Sequence, residues 1–225
     1  MPVTTRRNPS AKTTQTTESF LPTALRTRLE NEKKEIADRA AATSGYVAVP
    51  KDGESVEFRV MSQCRWGFEI WYEYKDDEDN TRKSVTRWDA ETLSELGLDD
   101  VPTEEIPEGF AVRKTGDPDL KTFMAMIVWN YKEEKFQIWS FVQQSLRDQF
   151  QKACENPRYG DPRGYDFEWS RTGKIMTDTV HTLMPLPPEP ISDEIAEAFE
   201  NFNCDLLAHC QGAPGAVVFG KKAES

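Results

Sequence analysis

The hydrophobic and polar positions of this chain change period several times, and each change predicts an element. Leu25, Leu29, Ile36 and Ala40 recur near helical spacing amid Glu30, Glu32, Lys33, Lys34 and Glu35. That pattern predicts a charged amphipathic helix over roughly 23–42. Its apolar stripe is thin, so it is expected to pack on a partner or on the domain surface. Pro50-Lys51-Asp52-Gly53 is a turn, and after it the period becomes two. Val56, Phe58 and Val60 alternate with Glu57 and Arg59, as in a half-buried strand. Arg65-Trp66-Gly67 reads as a break. Phe68, Ile70, Tyr72 and Tyr74 then alternate with Glu69, Trp71, Glu73 and Lys75 in a second strand. An acidic loop at 76–80 leads to a short third strand from Arg82 to Trp88. Asp89 is placed to cap a short helix through Leu96. Residues 99–119 form a long acidic, proline-containing loop of the kind that is functional or mobile.

The run from Phe123 to Tyr131 is apolar on both faces, which predicts a central strand. Lys132-Glu133-Glu134-Lys135 turns it into a strand over 136–142. Val142, Leu146, Phe150 and Ala153 mark a helix that stops before Pro157. Tyr165, Phe167 and Trp169 lie on one strand face, with Asp166, Glu168 and Ser170 opposite. Arg171-Thr172-Gly173-Lys174 turns into a last strand from Thr179 to Met184, closed by Pro185-Leu186-Pro187-Pro188. Ser192 caps a final acidic helix with a stripe of Ile195, Phe199, Phe202 and Leu206. The core is expected to include Phe68, Ile70, Tyr72, Phe123, Ile127, Phe136, Ile138, Phe167 and Val180.

The resulting fold class is mainly β with accessory helices. Six or seven antiparallel strands with one mid-chain helix are most economically arranged as an OB-fold-like β-barrel, the helix plugging one end. A β-sandwich is the rival. The expected organisation is a polar, disordered arm at 1–18 and a helical extension at 19–45. An OB-fold-like domain at 46–188 and an acidic C-terminal helix and tail at 189–225 complete it.

Charge changes the picture by its distribution. The net charge is −11, which alone argues against nucleic acid. From Lys75 to Gly109, however, twelve acids face four basic residues, whereas Pro157–Lys174 holds Arg158, Arg163, Arg171 and Lys174 against three acids. Fields decay within about 8 Å at physiological salt, so an acidic protein can still present a basic groove. No apolar run approaches the length of a spanning helix. The first residues lack an apolar h-region, so secretion is not expected and the cytoplasm of the host cell is. Cys64, Cys154, Cys204 and Cys210 form no CxxC pair and are expected to be reduced thiols.

Candidate chemistry centres on cations beside aromatic rings, which is what a single strand of nucleic acid needs for phosphates and unstacked bases. The window Asn156–Lys174 supplies Arg158, Tyr159, Arg163, Arg171 and Lys174. Its Tyr165, Phe167 and Trp169 read as core rather than contacts. Arg65, Arg82, Lys83 and Arg87 stand at strand ends and turns, and Trp71 and Trp139 read as aromatics on polar strand faces. Cys204, His209 and Cys210 have no standard zinc spacing, so no metal or other cofactor is expected. No phosphate-binding Gly-x4-Gly-Lys motif, GxSxG or HExxH occurs, and Asp166 and Glu168 read as the polar face of a strand rather than as a nuclease site.

Four blocks of the chain resemble phage-encoded single-stranded DNA-binding proteins of the OB-fold type. They are Gly67-Phe68-Glu69-Ile70-Trp71-Tyr72-Glu73 followed by Arg82; Val128-Trp129-Asn130-Tyr131 with Gln137-Ile138; Ser145-Leu146-Arg147 opening a helix; and Tyr159-Gly160-Asp161-Pro162-Arg163-Gly164-Tyr165-Asp166-Phe167 followed by Arg171-Thr172-Gly173-Lys174. They span about residues 55–188. The resemblance implies non-catalytic binding of single-stranded DNA in phage replication, recombination or repair, in the cytoplasm of a bacterial host. Replication or recombination proteins are the implied partners. Two departures are the mixed-charge end at 220–225 and the N-terminal extension, a candidate for self-association. The alternative is a protein-interaction or structural module built on the same barrel.

Overall fold

The computed structural model describes residues 27–28, 45–175 and 177–219. Contacts divide the chain into two units, Met1–Ala40 and Ala41–Ser225. Of the first unit only Thr27 and Arg28 are described, both helical. The expected arm at 1–18 lies outside the described residues, as does most of the extension at 19–45.

The second unit is mainly β with accessory helices. The strands are β1 (Ser55–Val60), β2 (Arg65–Lys75), β3 (Thr81–Asp89), β4 (Lys121–Asn130), β5 (Lys135–Phe141), β6 (Tyr165–Thr172) and β7 (Val180–Pro188). The helices are α1 (Ala90–Glu95), α2 (Gln144–Glu155), α3 (Asp193–Glu200), α4 (Leu206–Cys210) and α5 (Gly215–Val218). All seven strands join one antiparallel sheet of order β3-β2-β4-β1-β6-β7, with β5 on the other edge of β4. The expected barrel is not hydrogen-bonded shut: among the described residues, no strand of the β6–β7 end pairs with β3 or β5.

β1 and β2 run one after the other along a single edge of β4. Val60 is opposite Val128 and Arg65 is opposite Ala125, so residues 61–64 face only Met126 and Ile127. The surplus residues bend the chain as a bulge does. Ser62 ties the bend down: Ile127 N–H donates to its Oγ at 2.9 Å, and Met61 N–H donates to the Ile127 carbonyl at 2.9 Å. The sequence break expected at Arg65-Trp66-Gly67 is instead the start of β2. Gly67 sits between two neighbours, opposite both Asp89 and Phe123. A Cβ there would lie 2.0 Å from the Trp88 carbonyl oxygen, so the residue permits close pairing rather than ending the strand.

β4 is central, as its two apolar faces require. One face joins the larger core of Phe58, Val60, Met126, Val128, Trp139, Phe141, Phe167 and Trp169, closed by Leu146, Phe150 and Ala153 of α2. The other face presents Phe123 and Ala125, with Ile138 of β5, to Cys210 of α4 and Val218 of α5. The C-terminal helices therefore cover a sheet face. Phe199 of α3 and Phe202 pack on Phe136 of β5, using the stripe read from the sequence. The segment at 45–47 adds a short parallel rung to β5, Tyr46 bridging Ile138.

Asp89 caps α1 as expected, accepting from Thr92 N–H at 3.0 Å, and Ser192 caps α3 through Ile195 N–H. The last strand runs on through Pro185, Pro187 and Pro188 instead of stopping before them. β7 is an edge strand, where a missing N–H breaks no ladder. Val180, expected in the core, is 57% exposed because it lies on the outer face of that edge. Arg59 and Asp166, read as ordinary polar-face positions, form a buried ion pair across β1 and β6.

Candidate functional site

The β2–β3 hairpin extends beyond the pairing with β4, which uses only Arg65–Glu69 of β2. Past that point, residues of the long acidic loop take over the vacated edge. Ala111 N–H donates to the Trp71 carbonyl at 2.7 Å, and Glu73 N–H donates to the Gly109 carbonyl at 3.0 Å. The loop expected to be functional or mobile is thus partly an added rung of the sheet.

Strand alternation sorts the hairpin side chains between two faces. Trp71, Glu69 and Glu73 share one face with Lys83, Val85 and Arg87, while Trp66 and Tyr74 share the other with Arg82. Trp71 is 46% exposed, in agreement with its reading as an aromatic on a polar face. It adjoins a cleft of about 280 Å³ bounded by Lys83 and residues 109–112. Trp66 and Tyr74 are also about half exposed. The sequence pattern points to neither. Trp66 reads there as part of a break, and Tyr74 continues an apolar alternation past the point where anything covers it.

Trp139 does not belong to this surface. It is buried in the larger core against Phe58, Phe141, Phe150 and Trp169, so its reading as a stacking platform is corrected. Its flanking Gln137 and Ser140 suggested a polar strand face. Gln137 is instead also buried, accepting from Asn130 Nδ2 at 2.7 Å and donating to the Tyr46 carbonyl.

The hairpin cations are already engaged. Arg65 forks onto Asp89 at 2.8 and 3.0 Å and reaches Glu91 at 2.8 Å. Burial pushes the Asp89 carboxyl up, but the Arg65 and Thr92 hydrogen bonds outweigh it and hold it below the usual range. A second cleft, bounded by Trp66, Cys64, Arg65, Asp89 and Glu91, thus has its cation already held by two carboxylates. Arg82 pairs with Asp76 at 2.8 Å and Lys83 with Glu73 at 3.2 Å, both exposed. Arg87 is largely buried, bound to Glu69 at 2.9 and 3.0 Å, with its guanidinium over the Phe123 ring. His209 of α4 lies 3.1 Å from Arg87 Nη1. Burial and then the Arg87 charge pull the His209 pKa down to about 3, so the ring is neutral.

The second set of predicted residues lies in the connections flanking β6. Asp161 caps the turn Pro162–Gly164 and also takes the Arg163 guanidinium, which holds its carboxyl below the usual range. The Asp-Pro-Arg sequence is thus a self-contained turn lock. Tyr159 packs its ring 5.1 Å from buried Tyr165. Arg171 reaches Thr179 Oγ1 at 3.4 Å, and its backbone carbonyl accepts from Gly53 N–H. Arg158 and Lys174 are exposed, and neither forms an ion pair among the described residues. The 51–54 turn is held beside Lys174 by Gly173 N–H donating to Asp52 at 2.9 Å.

The structure therefore joins Trp71 with Lys83 on one surface, buries Arg87 beneath α4 on that same face, and turns Arg82 to the opposite one. No hydrogen bond or ion pair links these hairpin residues to Arg158, Tyr159, Arg163, Arg171 or Lys174 among the described residues. No group of three or more His, Cys, Asp or Glu side chains among the described residues is arranged to hold a metal ion. No described helix is long and apolar enough to cross a membrane. Known protein families, curated proteins and solved structures yield no match to this chain.

Proposed function

We propose that the protein binds single-stranded DNA without catalysis, in phage replication, recombination or repair in the cytoplasm of a bacterial host. The observation that carries this reading is the half-exposed indole of Trp71, set on the β2–β3 hairpin beside Lys83 and an open cleft. A π-face held at a polar surface offers a base a stacking partner at little ordering cost. Trp66 and Tyr74 give the same hairpin two more exposed rings. Arg158 and Lys174 add exposed charge at the β6 end of the sheet.

Because Arg65, Arg82, Lys83, Arg87 and Arg163 already hold carboxylates, few cations are available to displace counterions. Binding should therefore depend more on stacking than on charge. With two or three phosphates neutralised, log K against log salt should fall with a slope of about −1.4 to −2. Titration of oligo-dT, followed by tryptophan fluorescence and gel mobility, tests the proposal. Quenching and a mobility shift at low salt are expected, and the absence of both sinks the reading.

One observation favours a second reading, a protein-interaction module. The same carboxylate pairing, with a net charge of −11, leaves the hairpin surface aromatic but close to neutral. That module would retain its partner when Trp71 is intact and show no affinity for oligo-dT at any salt.

A further inference from the structure

The cleft beside Trp71 is built, and its construction is specific. Residues 109–111 pair on the edge of β2 that β4 leaves free. Gly109 adopts φ 76°, and a Cβ there would stand 2.3 Å from the Glu73 carbonyl oxygen. Only glycine allows the loop to approach this closely. The result is a recess of about 280 Å³ against the backbone of residues 109–112, with Trp71, Glu73 and Lys83 beside it. Ala111 lies across from Trp71 on this face, whereas Phe110 pairs with Tyr72 and so belongs to the opposite one. Trp71 remains 46% exposed, so its indole is left facing water at the recess.

We propose that this recess receives one nucleobase of the bound strand, stacked on Trp71, with Lys83 turning from Glu73 to the adjoining phosphate. The inference rests on the DNA-binding reading above and names the site at which it acts. The size of the recess falls below the roughly 300–1,000 Å³ of pockets for drug-sized ligands, which suits one small flat group. The half-exposed indole of Trp71 beside it offers the face of a heteroaromatic ring a partner to stack on. The cation at its rim, Lys83, sits directly across the strand pair from Glu73, where a sugar–phosphate would emerge. The Lys83–Glu73 pair is exposed on both sides, at 71% and 55% of the side chains, so exchange of partner costs little. Glu73 is then an opposing residue. It holds Lys83 in the free protein and repels the phosphate in the complex.

The test measures the affinity of the full chain for a fluorescein-labelled oligo-dT by anisotropy, in the wild type and in Trp71→Ala, Ala111→Trp and Glu73→Gln. Both apolar variants are at exposed positions, and an unchanged melting temperature confirms that they fold. Filling the recess with Ala111→Trp, across from Trp71 on the same face, should weaken binding as removal of the indole does, by about 5- to 150-fold for one lost stacking contact. Glu73→Gln should tighten binding several-fold at low salt, with the gain shrinking as salt is raised. If Ala111→Trp binds like wild type while Trp71→Ala is weakened, the strand uses the indole but not the recess, and the inference is overturned with the function intact. Weaker or unchanged binding by Glu73→Gln overturns the assigned role of Lys83. If the wild-type chain does not bind, the functional reading fails and the recess proposal falls with it.

Discussion

Arg59 and Asp166 face each other across β1 and β6 and close an ion pair in which the arginine side chain is 2% exposed and the aspartate 12%. Tyr131 Oη donates to the same carboxylate at 3.0 Å, and burial, with Asp166 beside it, pushes the tyrosine pKa up to about 12. Removing one partner leaves the other charged and buried. Asp166→Ala should therefore lose about 3–5 kcal/mol. Replacing both residues by apolar ones of similar volume should recover most of that loss. Urea denaturation of the three proteins checks both expectations. A loss within a few tenths of a kcal/mol for the single variant would show that the pair is solvated after all.

His209 gives the fold an acid-sensitive joint between α4 and the hairpin. Its ordinary pKa is 6.5, and burial together with Arg87 holds it at about 3 in the folded chain. The fold thus prefers the neutral ring, which Arg87 and Tyr46 contact. This contribution to stability is complete above pH 6.5 and declines as pH falls towards 3. His209→Gln keeps a hydrogen-bond acceptor but cannot take up the proton. Its urea midpoint should fall less than that of wild type between pH 7.5 and 4.5 (about the window of the shift). Parallel pH profiles for the two proteins would contradict the assignment.

Trp139 and Trp71 should separate stability from binding. Trp139→Ala removes the centre of an aromatic cluster and should cost about 3–5 kcal/mol in thermal or urea unfolding. Trp71→Ala removes a half-exposed ring and should leave the melting temperature nearly unchanged while abolishing most of the fluorescence response to oligo-dT. The reverse pattern would assign the platform to Trp139.

Gly67→Ala tests the close approach of β2 and β3. The new methyl would meet the Trp88 carbonyl oxygen at 2.0 Å and the Phe123 ring at 3.0 Å. The nearer obstacle is backbone and cannot rotate away, so overpacking of about 1–3 kcal/mol is expected. Amide exchange should rise first in the β2–β3 hairpin. Wild-type stability would mean that the two strands separate at no cost.

Much of the fold was legible in the sequence because local patterns have local physical causes. Alternation placed the strands, the all-apolar run from Phe123 placed β4 at the centre, and Asp89 and Ser192 marked helix starts through caps that span three residues. The candidate site was less legible. Trp71 and Trp139 occupy the same kind of local setting, an aromatic among polar neighbours. One ended at the surface because β4 stops short of it, and the other in the core because α2 closes over it. The cations of the hairpin were visible one by one, but their carboxylate partners across the strands depend on register.

The chain by itself determined which segments form strands and where helix caps fall, since periodicity and capping act over a few residues, but not where β2 begins or β7 ends. The tertiary structure alone decided which aromatic at a polar-looking position, Trp71 or Trp139, meets solvent, and which charges meet each other. It also brought the loop at 109–112 up to Trp71 to make a recess. Those outcomes depend on contacts between residues far apart in sequence, and burial and ion pairing are properties of such contacts rather than of any one segment.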